Sequence, residues 1–169
     1  MIGRLLVAFV LLVPAAAGSV LAADWQTYRN ARFGFAVDYP ADLLTMKAAP
    51  ANDDGRAFHV PGRRIEVTVS AGHNVLDESI GQLYTKAQAE FGPGNISYRR
   101  RGAGFFVVSG IRRGREFYEY VQITRKGGGT YVGRLRFFYP PDEKATMDPV
   151  VARMQRRFST SFREMAPAG

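Results

Sequence analysis

The sequence predicts a small α+β domain, an antiparallel sheet of about six or seven strands with two main helices packed mostly on one face. Three observations carry that expectation. From residue 95 to Tyr139 the chain is strand after strand, joined by short turns built on glycine, as in an antiparallel meander. Two other stretches, after Asp77 and after Asp148, place apolar residues at helical spacing on one side. Neither a repeat nor a linker divides what lies between.

The chain opens with MIGRLLVAFVLLVPAAAGSVLAA. Arg4 gives a positive start, Leu5 to Val13 an apolar run, Pro14 a break, and small residues follow to Ala23, the layout of a secretory signal peptide. Cleavage after Ala22 puts Val20 and Ala22 at the small-residue positions, and cleavage after Ala23 fits nearly as well. The rival, a retained anchor, is disfavoured because the apolar run is shorter than the roughly 20 residues a membrane span needs. The expected organisation is therefore a signal peptide over 1–23 and a single domain over 24–169, exported to the periplasm or secreted.

Without residues 1–23, 146 residues remain and the formal charge falls from +8 to +7, since Arg4 is the one charge removed. A chain of that length buries a core without staples. That matters because there is no cysteine: no disulfide, no thiolate ligand for zinc or an iron–sulfur cluster, and no lipid-modified cysteine. A basic exported domain is drawn to anionic lipid head groups, acidic envelope polymers or an acidic protein. The plainer explanation is solubility, which a net charge of this size serves without any partner.

The segment YRNARFGFAVDYP, Tyr28 to Pro40, opens the domain. Phe35, Val37 and Tyr39 alternate with Ala36 and Asp38, the period of a half-buried strand, with Asn30 and Gly34 for turns and Pro40 as a stop. Trp25 to Arg32 reads as a polar approach segment, Leu43 to Met46 as a short strand or a turn of helix, and residues 48–56 as a loop. Arg56 to Val60 and Arg64 to Ala71 then form a hairpin around Pro61-Gly62-Arg63, with Ile65, Val67 and Val69 on the buried face. The first helix is expected to be capped by Asp77, to present Ile80, Leu83, Tyr84, Ala87 and Phe91, and to stop at Gly92-Pro93. Strands over Ile96–Arg101, Phe105–Ile111, Glu116–Thr124 and Thr130–Tyr139 follow. The last helix is expected to start with Asp148 as cap and Pro149 at its first position, with Val150, Val151, Met154 and Phe158 opposite Arg153, Arg156 and Arg157 and a loose tail after Phe162.

The opening YRNARFGFAVDYP resembles the entry strand of the PsbP-like α/β sandwiches, a superfamily that includes the extrinsic P subunit of photosystem II and a Ran-GTPase-binding nucleotide-release factor. A helix before the meander and a final helix with the stripe Val150 to Phe158 fit the same pattern. The resemblance is closer to uncharacterised exported bacterial proteins that open with YxNxRFGFxVDYP, and it covers most of residues 25–162. It implies a non-enzymatic binding or assembly role. None of the photosystem subunit's ion- or partner-binding residues carries over.

Catalytic chemistry finds little support, and no catalytic residue, metal ligand set or cofactor site is assigned. His59 and His73 are the two histidines, and no HExxH or paired ligand spacing exists; a metal site would need both to converge with Asp53, Asp54 or Asp77. No GxSxG elbow is present, so a small hydrolase would have to assemble His73 and Asp77 with a serine such as Ser109. Glu116, Glu119 and Asp142 could supply paired carboxylates, as could any chain of this size. Glu119 shares a strand face with Phe117, Val121 and Ile123, which predicts a buried carboxylate held by an arginine or tyrosine. Gly127 to Gly129 joins two strands and is no phosphate cradle.

Arginine is the recurring theme. Arg99-Arg100-Arg101, Arg112-Arg113-Arg115 and Arg125-Lys126 flank turns of the meander, and alternating turns bring the first and third clusters to one end. Arg99, Arg101, Arg125 and Lys126 are accordingly the candidate binding residues, for an anionic envelope polymer, an anionic lipid surface or a protein partner. Tyrosines interleave with these clusters as in single-strand binders, but an exported domain rarely meets nucleic acid. Charged strand ends also discourage sheet-to-sheet aggregation and need no ligand. The expected function is that of an exported, non-enzymatic binding or accessory protein. The rivals are the small hydrolase and a structural subunit of an envelope assembly held by aromatic patches around Trp25 and Tyr28.

Overall fold

The computed structural model describes residues 24–164. The expected signal peptide and the tail beyond Glu164 lie outside them. Nine strands and two α-helices follow in order: β1 Trp25–Arg29, β2 Ala36–Pro40, β3 Thr45–Met46, β4 Gly55–His59, β5 Glu66–His73, α1 Ile80–Phe91, β6 Ile96–Arg101, β7 Phe105–Arg112, β8 Arg115–Lys126, β9 Gly129–Tyr139 and α2 Lys144–Glu164. Seven strands make one antiparallel sheet in the order β3-β4-β5-β9-β8-β7-β6, and β1 and β2 pair apart from it. The α+β class and the consecutive meander β6-β7-β8-β9 are as expected. The long β9 closes the meander onto β5, pairing from Glu66↔Phe138 to His73↔Tyr131.

The opening motif is a hairpin rather than one strand of the main sheet. Trp25 to Arg29 is itself a strand, not an approach segment, in register with β2 from Trp25↔Pro40 to Arg29↔Ala36. Each residue type of the motif has a physical task. The Asn30 side chain is buried; its Oδ1 accepts from the Phe33 N–H at 2.7 Å, and its Nδ2 donates to the Tyr28 hydroxyl at 2.9 Å and the Asp53 carbonyl at 2.8 Å. That locks the turn and ties it to the loop before β4. Gly34 takes φ +73, where a side chain is strained. Phe33, Phe35, Val37 and Tyr39 enter the core, and Ala36 and Pro40 are buried too, so β2 is covered on both sides.

The two helices lie on opposite faces of the sheet, which corrects the expectation of a shared face. Side chains alternate along a strand, and both sets on the central strands are apolar. Val67, Val69, Val107, Tyr120, Leu135 and Phe137 pack under α2 and the β1–β2 hairpin through Met154, Phe158, Phe162, Phe35 and Val37. Phe106, Val108, Phe117 and Val121 pack under α1 through Leu83, Ala87 and Phe91. The Phe91 and Phe117 rings stack at 4.2 Å. At Gly133 a β-carbon would stand 2.8 Å from the Phe162 ring and 2.9 Å from that of Phe158, so this glycine lets α2 approach the sheet.

Both helix starts differ from the expected ones. Asp77 adopts φ +47 in the preceding turn, and Ser79 is the cap, completing a capping box with Gln82. Helix α2 begins at Lys144, after a short 3₁₀ turn over Pro141–Glu143, and Pro149 lies inside it. The Pro140-Pro141 pair supplies the start signal that Pro149 suggested, and Asp148 accepts from Lys144 Nζ at 2.8 Å instead of capping.

Candidate functional site

One end of the sheet gathers the β5–α1 loop, the β6–β7 turn and the β8–β9 turn. Asn74 N–H bonds to the Thr130 carbonyl and Ile123 N–H to the Gly104 carbonyl, which stitches the three together. Inside the first loop the Asn74 side chain donates to the Glu78 carbonyl at 2.9 Å and accepts from the Glu78 N–H at 3.1 Å. The loop so fixed presents Val75 and Leu76 to solvent, 84% and 72% exposed. Beside it lies a hollow of ≈ 350 Å³ lined by Asn74, Ser79, Ile80, Gly104 and Arg125 together with the acids Asp77 and Glu78.

The four candidate cations do not form one cluster. Arg99 and Arg101 lie on the α1 face of the edge strand β6. Arg99 donates to the Pro93 carbonyl at 2.8 Å, and the Arg101 guanidinium covers the Tyr84 ring at 4.6 Å, close to Gly81. Arg125 lies on the same face and lines the hollow. Lys126 turns to the other face and donates to the Glu164 carbonyl at 2.8 Å, at the end of α2. Among the described residues no carboxylate lies within 4.0 Å of Arg101 or Arg125.

Ser109 does not meet the His73 of the alternative hydrolase. Ser109 pairs with Tyr118, Tyr118 with Phe137, and Phe137 with Val67, so Ser109 stands level with Val67. His73 is six residues further along β5, roughly 20 Å away at the rise of a strand. His73 ends β5 rather than lying in a turn, and its ring packs on Tyr131 at 4.8 Å and Phe33 at 5.8 Å. His59 pairs with Glu66 at the opposite end of β5, so the histidines do not share a site. Among the described residues no three His, Asp or Glu side chains converge as metal ligands. The patch expected around Trp25 and Tyr28 is not open either: Tyr28 is buried and the Arg153 guanidinium covers Trp25 at 4.1 Å.

Glu119 is the buried, arginine-held carboxylate that the strand pattern predicts. It is fully buried, and its Oε1 accepts from Arg134 at 2.7 Å and from Arg136 at 2.6 and 3.0 Å. Arg136 reaches on to Glu90 of α1 with two bonds, 2.7 and 3.0 Å, pinning that helix to the sheet. Burial alone would lower the Arg136 guanidinium, yet the Glu119 charge and the bonds to Glu90 and Glu119 hold it above its ordinary value. An arginine bonded to two acids is a brace between sheet and helix, and it leaves Glu119 Oε2 as the one oxygen of that carboxylate without a hydrogen-bond partner among the described residues.

A second charged cluster escaped the sequence. Asp38, Arg153, Arg156, Arg157 and Thr160 line an open groove of ≈ 550 Å³ where α2 runs beside the β1–β2 hairpin. The arginines read as the solvated side of an amphipathic helix, and Asp38 as the outer face of a strand. Only the docking of the one against the other, 115 residues away, brings them together.

No protein-family model matches this sequence, and no curated protein matches it. Among solved structures, the cyanobacterial PsbP (CyanoP) of Synechocystis sp. PCC 6803 superposes with a TM-score of 0.55 at 14% identity, over 85% of this chain and 96% of that one. LpqN of Mycobacterium tuberculosis, described as involved in cell envelope biogenesis, aligns with a TM-score of 0.37 at 15% identity over 79% and 76%. The first likeness establishes the fold: this chain folds as a PsbP-like α+β sandwich.

Proposed function

We propose that this chain is an exported accessory protein that binds rather than catalyses, and that it meets an anionic lipid surface of the cell envelope through the end bearing Arg101 and Arg125. One observation carries the reading: Val75 and Leu76 protrude from a hydrogen-bonded loop, at the end of the sheet where Arg125 and Arg101 have no ion pair within 4.0 Å among the described residues. An apolar pair at the apex of a fixed loop has no reason to stay in water, and cations beside it suit the acidic head-group layer. No helix among the described residues is long and apolar enough to cross a membrane. Arg99 and Lys126, already bound to carbonyl groups, contribute charge more than contact.

The test is co-sedimentation of the purified protein with vesicles of phosphatidylglycerol or of phosphatidylcholine at rising salt. Binding to the acidic vesicles, weakened by salt, is expected. At about 1 kcal/mol for each basic residue near such a surface, Arg101→Gln with Arg125→Gln weakens it about thirtyfold. Leu76→Asp weakens it at every salt concentration. Equal sedimentation of the double variant and the parent refutes the reading; a strong preference for an acidic polymer over vesicles moves the ligand to that polymer.

A further inference from the structure

From the groove between α2 and the hairpin we infer a second anion site, built for a hydroxylated phosphate monoester such as a sugar phosphate. Arg153, Arg156 and Arg157 line it with Asp38 as the one acid. Asp38 is committed first to the hairpin, where its Oδ1 accepts from the Thr27 hydroxyl at 2.8 Å. The Arg157 Nε and Arg153 guanidinium approach it at 3.6 and 3.8 Å, ion-pair distances without a hydrogen bond. Among the described residues their N–H groups therefore remain without a hydrogen bond, and Arg156 has no carboxylate within 4.0 Å.

Charge fixes the ligand's class. Three guanidiniums against one carboxylate leave two positive charges in one groove, which a phosphate monoester dianion cancels and a single carboxylate or phosphodiester does not. Planar guanidinium forks suit phosphate oxygens geometrically as well. The groove has the volume of a small-molecule site rather than of a lone ion. All five lining groups are polar, so the rest of the ligand is polar too, and the Asp38 carboxylate, repelling phosphate, accepts its hydroxyl groups.

The site carries its own reporter. Trp25 is the single tryptophan of the sequence, and the Arg153 guanidinium lies over its ring. Drawing Arg153 toward a phosphate changes the indole's surroundings. The experiment titrates the full chain with glucose-6-phosphate at constant ionic strength, following Trp25 fluorescence and, in parallel, heat by calorimetry. A saturable signal is expected, weaker with inorganic phosphate and absent with glucose. Arg156→Gln, a change at an exposed residue without an ion pair, reduces affinity about tenfold or more. Asp38→Asn tightens inorganic phosphate and erases the preference for the sugar ester. Arg101→Gln with Arg125→Gln leaves this titration unchanged, so the site stands or falls apart from vesicle binding. No heat and no fluorescence change with the parent protein, or a response that chloride reproduces, overturns the inference.

Discussion

Removing Arg136 should expose how the sheet tolerates a buried acid at its centre. Glu119 has no contact with water, and one of its oxygens, Oε2, has no hydrogen-bond partner among the described residues. All its compensation arrives at Oε1 from Arg134 and Arg136. Deleting one partner of a buried pair costs about 3–5 kcal/mol, chiefly because the other charge stays desolvated. Arg134 remains after Arg136→Met, which places the loss near 3 kcal/mol, about 10 °C in melting temperature for a domain of this size. If desolvation is the cause, removing the charge as well should restore most of the loss. Glu119→Leu combined with Arg136→Met leaves only Arg134, whose side chain is 35% exposed and can turn to water. That double variant should fall within about 1 kcal/mol of the parent. The Arg136–Glu90 contact is lost in both variants, so it cancels in the comparison. Urea denaturation followed by circular dichroism, closed as a double-mutant cycle, supplies the numbers. A double variant as unstable as Arg136→Met alone would refute the reasoning and make packing of the arginine stem the source of stability.

Three further outcomes follow from the fold. Arg113 holds φ +53 beside Gly114 at φ +70 in the two-residue turn between β7 and β8, so Arg113→Asn should gain about 0.5–1 kcal/mol in a thermal melt; no gain would mean the turn carries no strain. Gly133→Ala should lose about 1–3 kcal/mol, because its methyl would press on Phe158 and Phe162, and an unchanged urea midpoint would show that α2 shifts freely. Burial raises the hydroxyls of Tyr118, Tyr120 and Tyr139, with neighbouring tyrosines Tyr98 and Tyr120 adding to the rise at Tyr118; Tyr139 is pushed up to about 12 and Tyr118 further. The folded values exceed the unfolded value near 10, so their contribution is whole below about pH 10 and fades as the pH climbs through about 12. Urea midpoints between about pH 9 and pH 11 should fall, and less steeply in Tyr118→Phe; a flat profile in the parent would contradict the assignment.

The local rules reached most of the fold because each used residues close in sequence. Alternation along Ile65, Val67 and Val69 is visible without knowing what covers them, and Pro61-Gly62 marks its turn wherever the hairpin sits. What was hidden is non-local. A strand such as β8 shows apolar residues on both faces, Phe117 and Val121 against Tyr118 and Tyr120, which is the trace of a sheet covered on both sides. Taken alone, that trace shows that two layers exist, not which helix forms which layer. Helix starts failed for a related reason. Asp77 and Asp148 are good caps by type, but Ser79 with Gln82 forms a reciprocal pair, and Pro140-Pro141 leaves the preceding strand at the angle that lets α2 begin earlier.

The arginines show the same limit in sharper form, because a guanidinium means something different in each environment. Arg136 lies in a strand and braces two acids; Arg101 lies in a strand and covers a tyrosine; Arg156 lies on a helix and faces a groove. Their sequence surroundings do not separate these fates. Turn alternation correctly brought the β6–β7 and β8–β9 ends together, yet strand parity divides Arg125 from its neighbour Lys126 across the sheet. Clustering along the chain thus points to an end, while contact demands a face. The groove arginines satisfy the second condition without the first, since Asp38 joins them only through tertiary packing. A cation left without an ion pair, rather than one crowded by the sequence, is the better mark of a candidate binding surface, and among the described residues Arg125 and Arg156 meet that standard on two separate faces.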